Sequence, residues 1–119
     1  MSIYEDIILD HYQNPRNNKS LENPTSEVDV HNPLCGDKLH VEIHDKEGIV
    51  EEVGFTGEGC AISVASASLL SEYAKGKSKK ELQSLKKEDV LGLLGIELTP
   101  NRMKCALLSW EALVKTVSR

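Results

Sequence analysis

Leu39-His40-Val41-Glu42-Ile43-His44, then Asp45-Lys46-Glu47-Gly48, then Ile49-Val50-Glu51-Glu52-Val53-Gly54-Phe55 is the stretch that decides the fold. Leu39, Val41 and Ile43 alternate with His40, Glu42 and His44, and a period of two sends alternate side chains to opposite faces of a strand. Ile49, Val53 and Phe55 share a further alternation, with Glu51 as the exception. Asp45 to Gly48 reads as the turn between the two runs, Gly48 supplying a positive φ at no steric cost. Upstream, Val28 and Val30 alternate with Glu27, Asp29 and His31. Three short strands with tight connections predict a three-stranded antiparallel sheet with one buried face.

On either side of this block the period is helical. Ile3, Tyr4, Ile7, Ile8, His11 and Tyr12 recur at three and four, predicting an amphipathic helix over 3–12. Pro15 ends it, and residues 14–26 form a polar connection. From residue 60 onward Ile62, Ala65, Ser66, Leu69 and Tyr73 make one helix face, ending near Gly76. Ser78 is suited to cap a short helix over 79–85, and a second short helix over 87–94 stops at Gly95. The last helix, 102–117, carries a stripe of Met103, Ala106, Leu107, Trp110, Leu113, Val114 and Val117. Strands first and helices afterwards predict an α+β architecture, with the helices packed on one face of the sheet.

The 119 residues suit one domain spanning 1–119. The formal charge is −5, and with no basic block the chain is a poor candidate for binding nucleic acid. Residues 1–74 carry 4 basic and 14 acidic side chains, whereas 75–119 carry 10 basic and 5 acidic, so one end could steer a charged partner. No apolar run approaches the roughly 20 residues needed to span a bilayer, and the first residues lack a secretory pattern, so a cytoplasmic protein is expected. In a reducing compartment three cysteines are buried, metal-bound or reactive more often than bridged.

Those cysteines are Cys35, Cys60 and Cys105, and none lies in a C-x-x-C pair. Free cysteine is among the most buried residue types, so three core thiols is the plain alternative. Three features argue otherwise. On the last helix Cys105 falls opposite the Met103–Leu107–Trp110–Val114 stripe, where a core thiol should not sit. Cys60 follows Gly57-Glu58-Gly59 and precedes a helical run, at a junction whose free N–H groups attract an anion or thiolate. In Asn32-Pro33-Leu34-Cys35-Gly36-Asp37 a carboxylate stands two residues from a thiol, costly company in a dry core unless a cation lies between them. Three sulfurs and one oxygen fill a tetrahedral zinc site, and the same set suits an iron–sulfur cluster. An oxygen ligand would make such a cluster easier to release. His40 and His44 read as solvent-facing sheet residues, His31 as a neighbour of the site, and His11 as helix packing.

Together Asp10-His11-Tyr12-Gln13-Asn14-Pro15-Arg16-Asn17, Asn32-Pro33-Leu34-Cys35-Gly36-Asp37, Gly57-Glu58-Gly59-Cys60-Ala61-Ile62-Ser63 with Ala65-Ser66-Ala67-Ser68, and Arg102-Met103-Lys104-Cys105-Ala106-Leu107-Leu108-Ser109-Trp110 form a pattern. It resembles the iron–sulfur cluster assembly scaffold family, the IscU/SufU/NifU N-terminal group. The resemblance implies a small antiparallel sheet with helices on one side. It implies that a pyridoxal-phosphate-dependent cysteine desulfurase passes sulfur to a thiolate, Cys105 being the expected acceptor. Iron is then supplied, a [2Fe–2S] cluster assembles on Cys35, Cys60 and Cys105 with help from Asp37, and acceptor apo-proteins receive it. A homo-oligomer when cluster-bound is a further implication.

Two departures keep a second reading open. Scaffold members usually carry His before the third cysteine, where this chain has Lys104, an auxiliary residue suited to pair with Asp37 or to favour the Cys105 thiolate. Lys104, Gly57-Glu58-Gly59-Cys60 and Ser109-Trp110 look more like the SufU branch, which holds zinc and accepts sulfur. That branch has an insertion between its second and third cysteines, whereas here 44 residues separate Cys60 from Cys105, as in scaffolds. Scaffold and carrier, zinc-dependent sulfurtransferase, and purely structural zinc domain are the competing functions. An Asp ligand weighs against the last, because closed structural sites favour Cys and His.

Overall fold

A computed structural model describes residues 3–33, 36–95 and 98–118 of the chain, so the expected role of Cys35 falls outside the described residues. The element order is α1 (Ile3–Gln13), β1 (Ser26–Asn32), β2 (Asp37–Lys46), β3 (Ile49–Glu58), α2 (Ala61–Ala74), α3 (Lys79–Gln83), α4 (Lys87–Leu94) and α5 (Pro100–Val117). The strands form an antiparallel sheet in the order β1-β2-β3. The α+β architecture read from the period switch is the one observed.

Val28, Val30, Leu39, Val41, Ile43, Val53 and Phe55 point from the sheet into one core with Leu70, Leu108, Leu113 and Val117 from the helices. Burying each such apolar side chain contributes about 1.5–3 kcal/mol. Helix α5 lies on β1 and β2, α2 lies on β3, and the two helices pack against each other. Helix α1 packs on α2, outside the layer that touches the sheet.

Three local readings are corrected. In β3 it is Val50 that is fully buried and Ile49 that is exposed. The cause is a register shift: His44 faces Glu52 and Asp45 faces Val50, leaving Glu51 as an extra residue that flips the inward parity. In α2 nearly every side is covered, with Ser63, Ala67, Ser68, Leu70, Ser71 and Ala74 buried beyond the expected face, while Leu69 and Tyr73 are only half-buried. In α5 the buried set is Cys105, Ala106, Leu108, Ser109, Ala112, Leu113, Thr116 and Val117, whereas Met103, Leu107, Trp110 and Val114 are half-buried. Cys105 therefore lies on the buried face and not opposite it. Small side chains explain this. Ser66 Oγ donates to the Ala106 carbonyl (2.7 Å) and lies 2.8 Å from Ser109 Oγ. Such bonds need two helix backbones in close approach, which brings the small, partly polar face deepest. The larger residues flank it, and Trp110 reaches sideways to donate to the Leu85 carbonyl at 2.9 Å.

The polar connection 14–26 is a strap across the outer face of the sheet. Leu21 is buried, its N–H donates to Glu42 Oε1 at 2.7 Å, and the Phe55 N–H donates to the Asn17 carbonyl at 3.0 Å. A Cβ on Gly54 would come within 2.4 Å of the Lys19 carbonyl oxygen, so the strap needs glycine there. The outer face is thus partly covered, and Glu42 is buried on it. His40 bridges this face, with Nδ1 2.8 Å from Asp29 and Nε2 3.2 Å from Glu42. His11 instead ties α1 to α2 through Ser68, at 2.6 Å.

These two histidines give opposite pH dependences. Partial burial alone would lower His40, but its bonds to Asp29 and Glu42 outweigh that and raise it above 6.5. Its contribution is therefore complete below about pH 6.5 and is lost as pH rises through the raised value. His11 is lowered by burial first and by the Arg16 charge next. Its contribution is present above 6.5 and is lost as pH falls toward the lowered value. Urea unfolding across about pH 5.5–8 is expected to show His40→Asn losing stability mainly at the acid end and His11→Asn mainly at the neutral end. Parallel losses at all pH values for both variants would contradict this.

Candidate metal and sulfur site

At the edge where β2 begins, α2 begins and α5 completes its first turns, Asp37, Cys60 and Cys105 each present a donor atom within 4.8 Å of the other two. Asp37 is the first residue of β2, held in register opposite Asn32, and is 3% exposed. Cys60 is the exposed N-cap residue of α2, as the glycine run before it suggested, but its thiol does not cap the helix. Asp37 reaches this junction from β2. Its Oδ1 accepts the Cys60 N–H at 3.2 Å, and its Oδ2 accepts a short hydrogen bond from the Ser63 hydroxyl. The helix N-terminus thus solvates this buried carboxylate with peptide and hydroxyl donors. That corrects part of the sequence argument, because burial of Asp37 does not by itself demand a cation.

Cys60 Sγ lies 3.8 Å from Asp37 Oδ2 and 3.7 Å from Ser63 Oγ. Cys105 is 5% exposed and packs in a second apolar cluster with Ile8, Ile62, Ala65, Leu94 and Ala106. Ser63 joins it to the rest of the site, its Oγ lying 3.2 Å from the Cys105 carbonyl oxygen. Gly59 makes this crowding possible, since a Cβ there would stand 2.8 Å from Ser63 Cβ and 3.5 Å from Asp37 Cγ.

Cys60 and Cys105 line an open cavity of about 490 Å³ with Asn32, Ile62, Asn101, Arg102 and Lys104. Lys104 is exposed at its rim. A neighbouring cavity of about 350 Å³ includes His31, Pro33, Lys104, Leu107 and Trp110, so His31 borders the adjoining concavity. His40 and His44 stand on the outer sheet face, bonded to Asp29 and Glu42 and to the Asn23 carbonyl respectively. Ser63 and Arg102 went unassigned in the sequence reading. Spacing would have found Ser63, which stands three residues after Cys60 and so shares its side of the helix.

The donor set suits a metal. Ligands about 2.3 Å from a tetrahedral ion lie roughly 3.8 Å from one another, and the observed donors are within 4.8 Å. Side-chain rotation covers the difference. Two thiols suit soft or borderline metals such as zinc and iron, and one oxygen leaves the set weaker than four thiolates.

Residues 3–119 match the NifU-like N-terminal domain family. The chain belongs to that family. It is 38% identical over 135 aligned residues to the zinc-dependent sulfurtransferase SufU of Bacillus subtilis, an alignment covering 99% of this chain and 91% of that protein. It is equally 38% identical over 120 residues to the iron–sulfur cluster assembly scaffold protein IscU of Escherichia coli, covering 97% and 91%. The crystal structure of a putative iron–sulfur cluster assembly scaffold protein for the SUF system from Fervidobacterium islandicum has the same fold, with a TM-score of 0.81 and 24% identity over 98% of this chain and 96% of that one. Among the described residues no helix is long and apolar enough to cross a membrane.

Proposed function

We propose that this chain is a scaffold on which a [2Fe–2S] cluster is assembled from iron and desulfurase-derived sulfur and from which the cluster passes to acceptor apo-proteins. The observation that carries the reading is the convergence of Asp37, Cys60 and Cys105 at the wall of an open cavity. A carrier has to hold its cargo and let it go. Thiolates hold iron, a carboxylate is the readily exchanged member of the set, and Cys60 is exposed where an acceptor could reach it. Cys35 is the proposed third thiolate.

Sulfur arrival needs a thiolate that attacks the outer sulfur of a donor persulfide. The donor S–S bond breaks, a new one forms, and the donor leaves as a thiolate. Cys105 is the proposed acceptor. The cations Arg102 and Lys104 line the same cavity and would offset the negative charge that thiolates and sulfide bring. A cysteine desulfurase is the proposed donor partner.

The second reading, a zinc-dependent sulfurtransferase that accepts sulfur and activates a desulfurase, rests on the SufU match and on Lys104 beside Cys105. Alignment length favours the scaffold. Pairing with SufU runs over 135 positions, more than the 119 residues of this chain, whereas pairing with IscU takes 120. The test is anaerobic incubation of the metal-free chain with iron, cysteine and a cysteine desulfurase. Visible charge-transfer bands are expected. A colourless product with bound zinc and an accelerated desulfurase would establish the second reading instead.

A further inference from the structure

We propose that Ser63 is a positioning residue that holds the Asp37 carboxylate in reserve and thereby makes metal release fast. The inference rests on the reading of Asp37 as a metal ligand. Ser63 is fully buried at the third position of α2. Its hydroxyl donates to Asp37 Oδ2, the oxygen that faces Cys60 Sγ, while the Cys60 N–H holds Oδ1. Both carboxylate oxygens are thus engaged by the first turn of one helix. A metal ion drawing on Oδ2 has to displace the hydroxyl or share the oxygen with it. Either way the hydroxyl withdraws electron density that the ion would otherwise use, so it weakens the metal–oxygen bond.

The exchange leaves no group stranded. A serine hydroxyl has one hydrogen, and Ser63 has a second acceptor within reach, the Cys105 carbonyl at 3.2 Å. When Asp37 turns to a metal, the Ser63 O–H turns to Cys105. When the metal leaves, Asp37 returns to its donors without passing through a buried, unsolvated state. A ligand with such a resting place departs more easily than one that would be left unpaired, because an unmade hydrogen bond in a dry site carries the full desolvation cost. Gly59 lets Ser63 and Asp37 sit this close, since a Cβ there would lie 2.8 Å from Ser63 Cβ.

The test uses Zn²⁺ alone as the probe, its affinity measured by competition with a chromophoric chelator and its release followed in excess chelator. Ser63→Ala is expected to slow zinc release about tenfold and to tighten binding by a similar factor. It should also lower the melting temperature of the metal-free chain more than that of the zinc-loaded chain, because only the former relies on the hydroxyl to solvate Asp37. Ser66→Ala, which removes another buried hydroxyl from the same helix interface, should lower both melting temperatures together and leave zinc release unchanged. In an Asp37→Ala background, Ser63→Ala should have no effect on release. Unchanged or faster release from Ser63→Ala, with Asp37→Ala still weakening zinc binding, overturns the inference and spares the ligand assignment. Wild-type zinc affinity in Asp37→Ala overturns both.

Discussion

Cys105→Ser is expected to abolish the stable iron–sulfur chromophore while leaving the chain folded. The serine hydroxyl stays protonated at neutral pH and is a hard oxygen donor, so it replaces neither the charge nor the softness of a thiolate. Cys105 is one of two thiols that the described residues bring within 4.8 Å of Asp37, so its loss removes half of that sulfur. The fold should tolerate the change. Serine is close in size to cysteine, and Ser63 and the α5 backbone offer hydrogen-bond partners, which keeps the cost to about 1 kcal/mol. Visible absorption after anaerobic reconstitution, read beside circular dichroism, gives the answer. Cys60→Ser provides the comparison: serine is a favoured N-cap residue and Cys60 makes no cap bond with its side chain, so that variant should fold at least as well as the parent while also losing the chromophore. A wild-type spectrum from Cys105→Ser would remove Cys105 from the ligand set.

Gly57→Ala should produce the largest loss of stability. Gly57 pairs with Leu39 across β2 and β3 and adopts φ +142°, a region that residues with a Cβ rarely enter. The added Cβ would lie 2.1 Å from the Lys38 carbonyl oxygen and 3.0 Å from Leu39 Cα. Both are backbone atoms of a central strand, so no side-chain rotation relieves the overlap. Backbone strain of this kind costs about 1–3 kcal/mol, and separating the strands adds to it. A melting temperature lower by on the order of 10 °C is expected in thermal unfolding. Because Asp37 lies two residues before Leu39, metal binding should fall even in the fraction that folds. A shift of only one or two degrees would mean that β3 slides to a new register at little cost. Gly48, also at positive φ (+81°) but with open space where a Cβ would go, should pay the conformational strain alone and lose less.

The period switch made the architecture legible. Leu39, Val41 and Ile43 all face the core as the alternation requires. Ser78 caps α3 by accepting the Glu81 N–H, and Gly95 ends α4 in the left-handed conformation. These features are local, and residue type and spacing encode them directly. Glu51 stood out as an exception to the alternation, but a bulge changes which strand residue is extra, and only pairing with β2 reveals that it is Val50 that turns inward. The face of α5 was misread for a related reason. A hydropathy stripe ranks Leu107 and Trp110 above Ser109 and Ala112, yet helices that approach closely bury their smallest residues deepest.

Residue chemistry alone singled out Cys60 and Asp37 as candidate donors, because a thiol after two glycines at a helix start and a carboxylate beside a turn are both local signals. For Cys105 it named a candidate donor from the wrong geometry, expecting a thiol turned away from the core. Tertiary structure decided that Cys105 is buried and still within donor distance of Asp37 and Cys60, and that Ser63 stands among them. Those relations join residues from three elements, separated by 23 to 68 positions along the chain. Their distances depend on how closely α2 and α5 approach each other over the end of β2, a packing quantity that no single segment of sequence specifies.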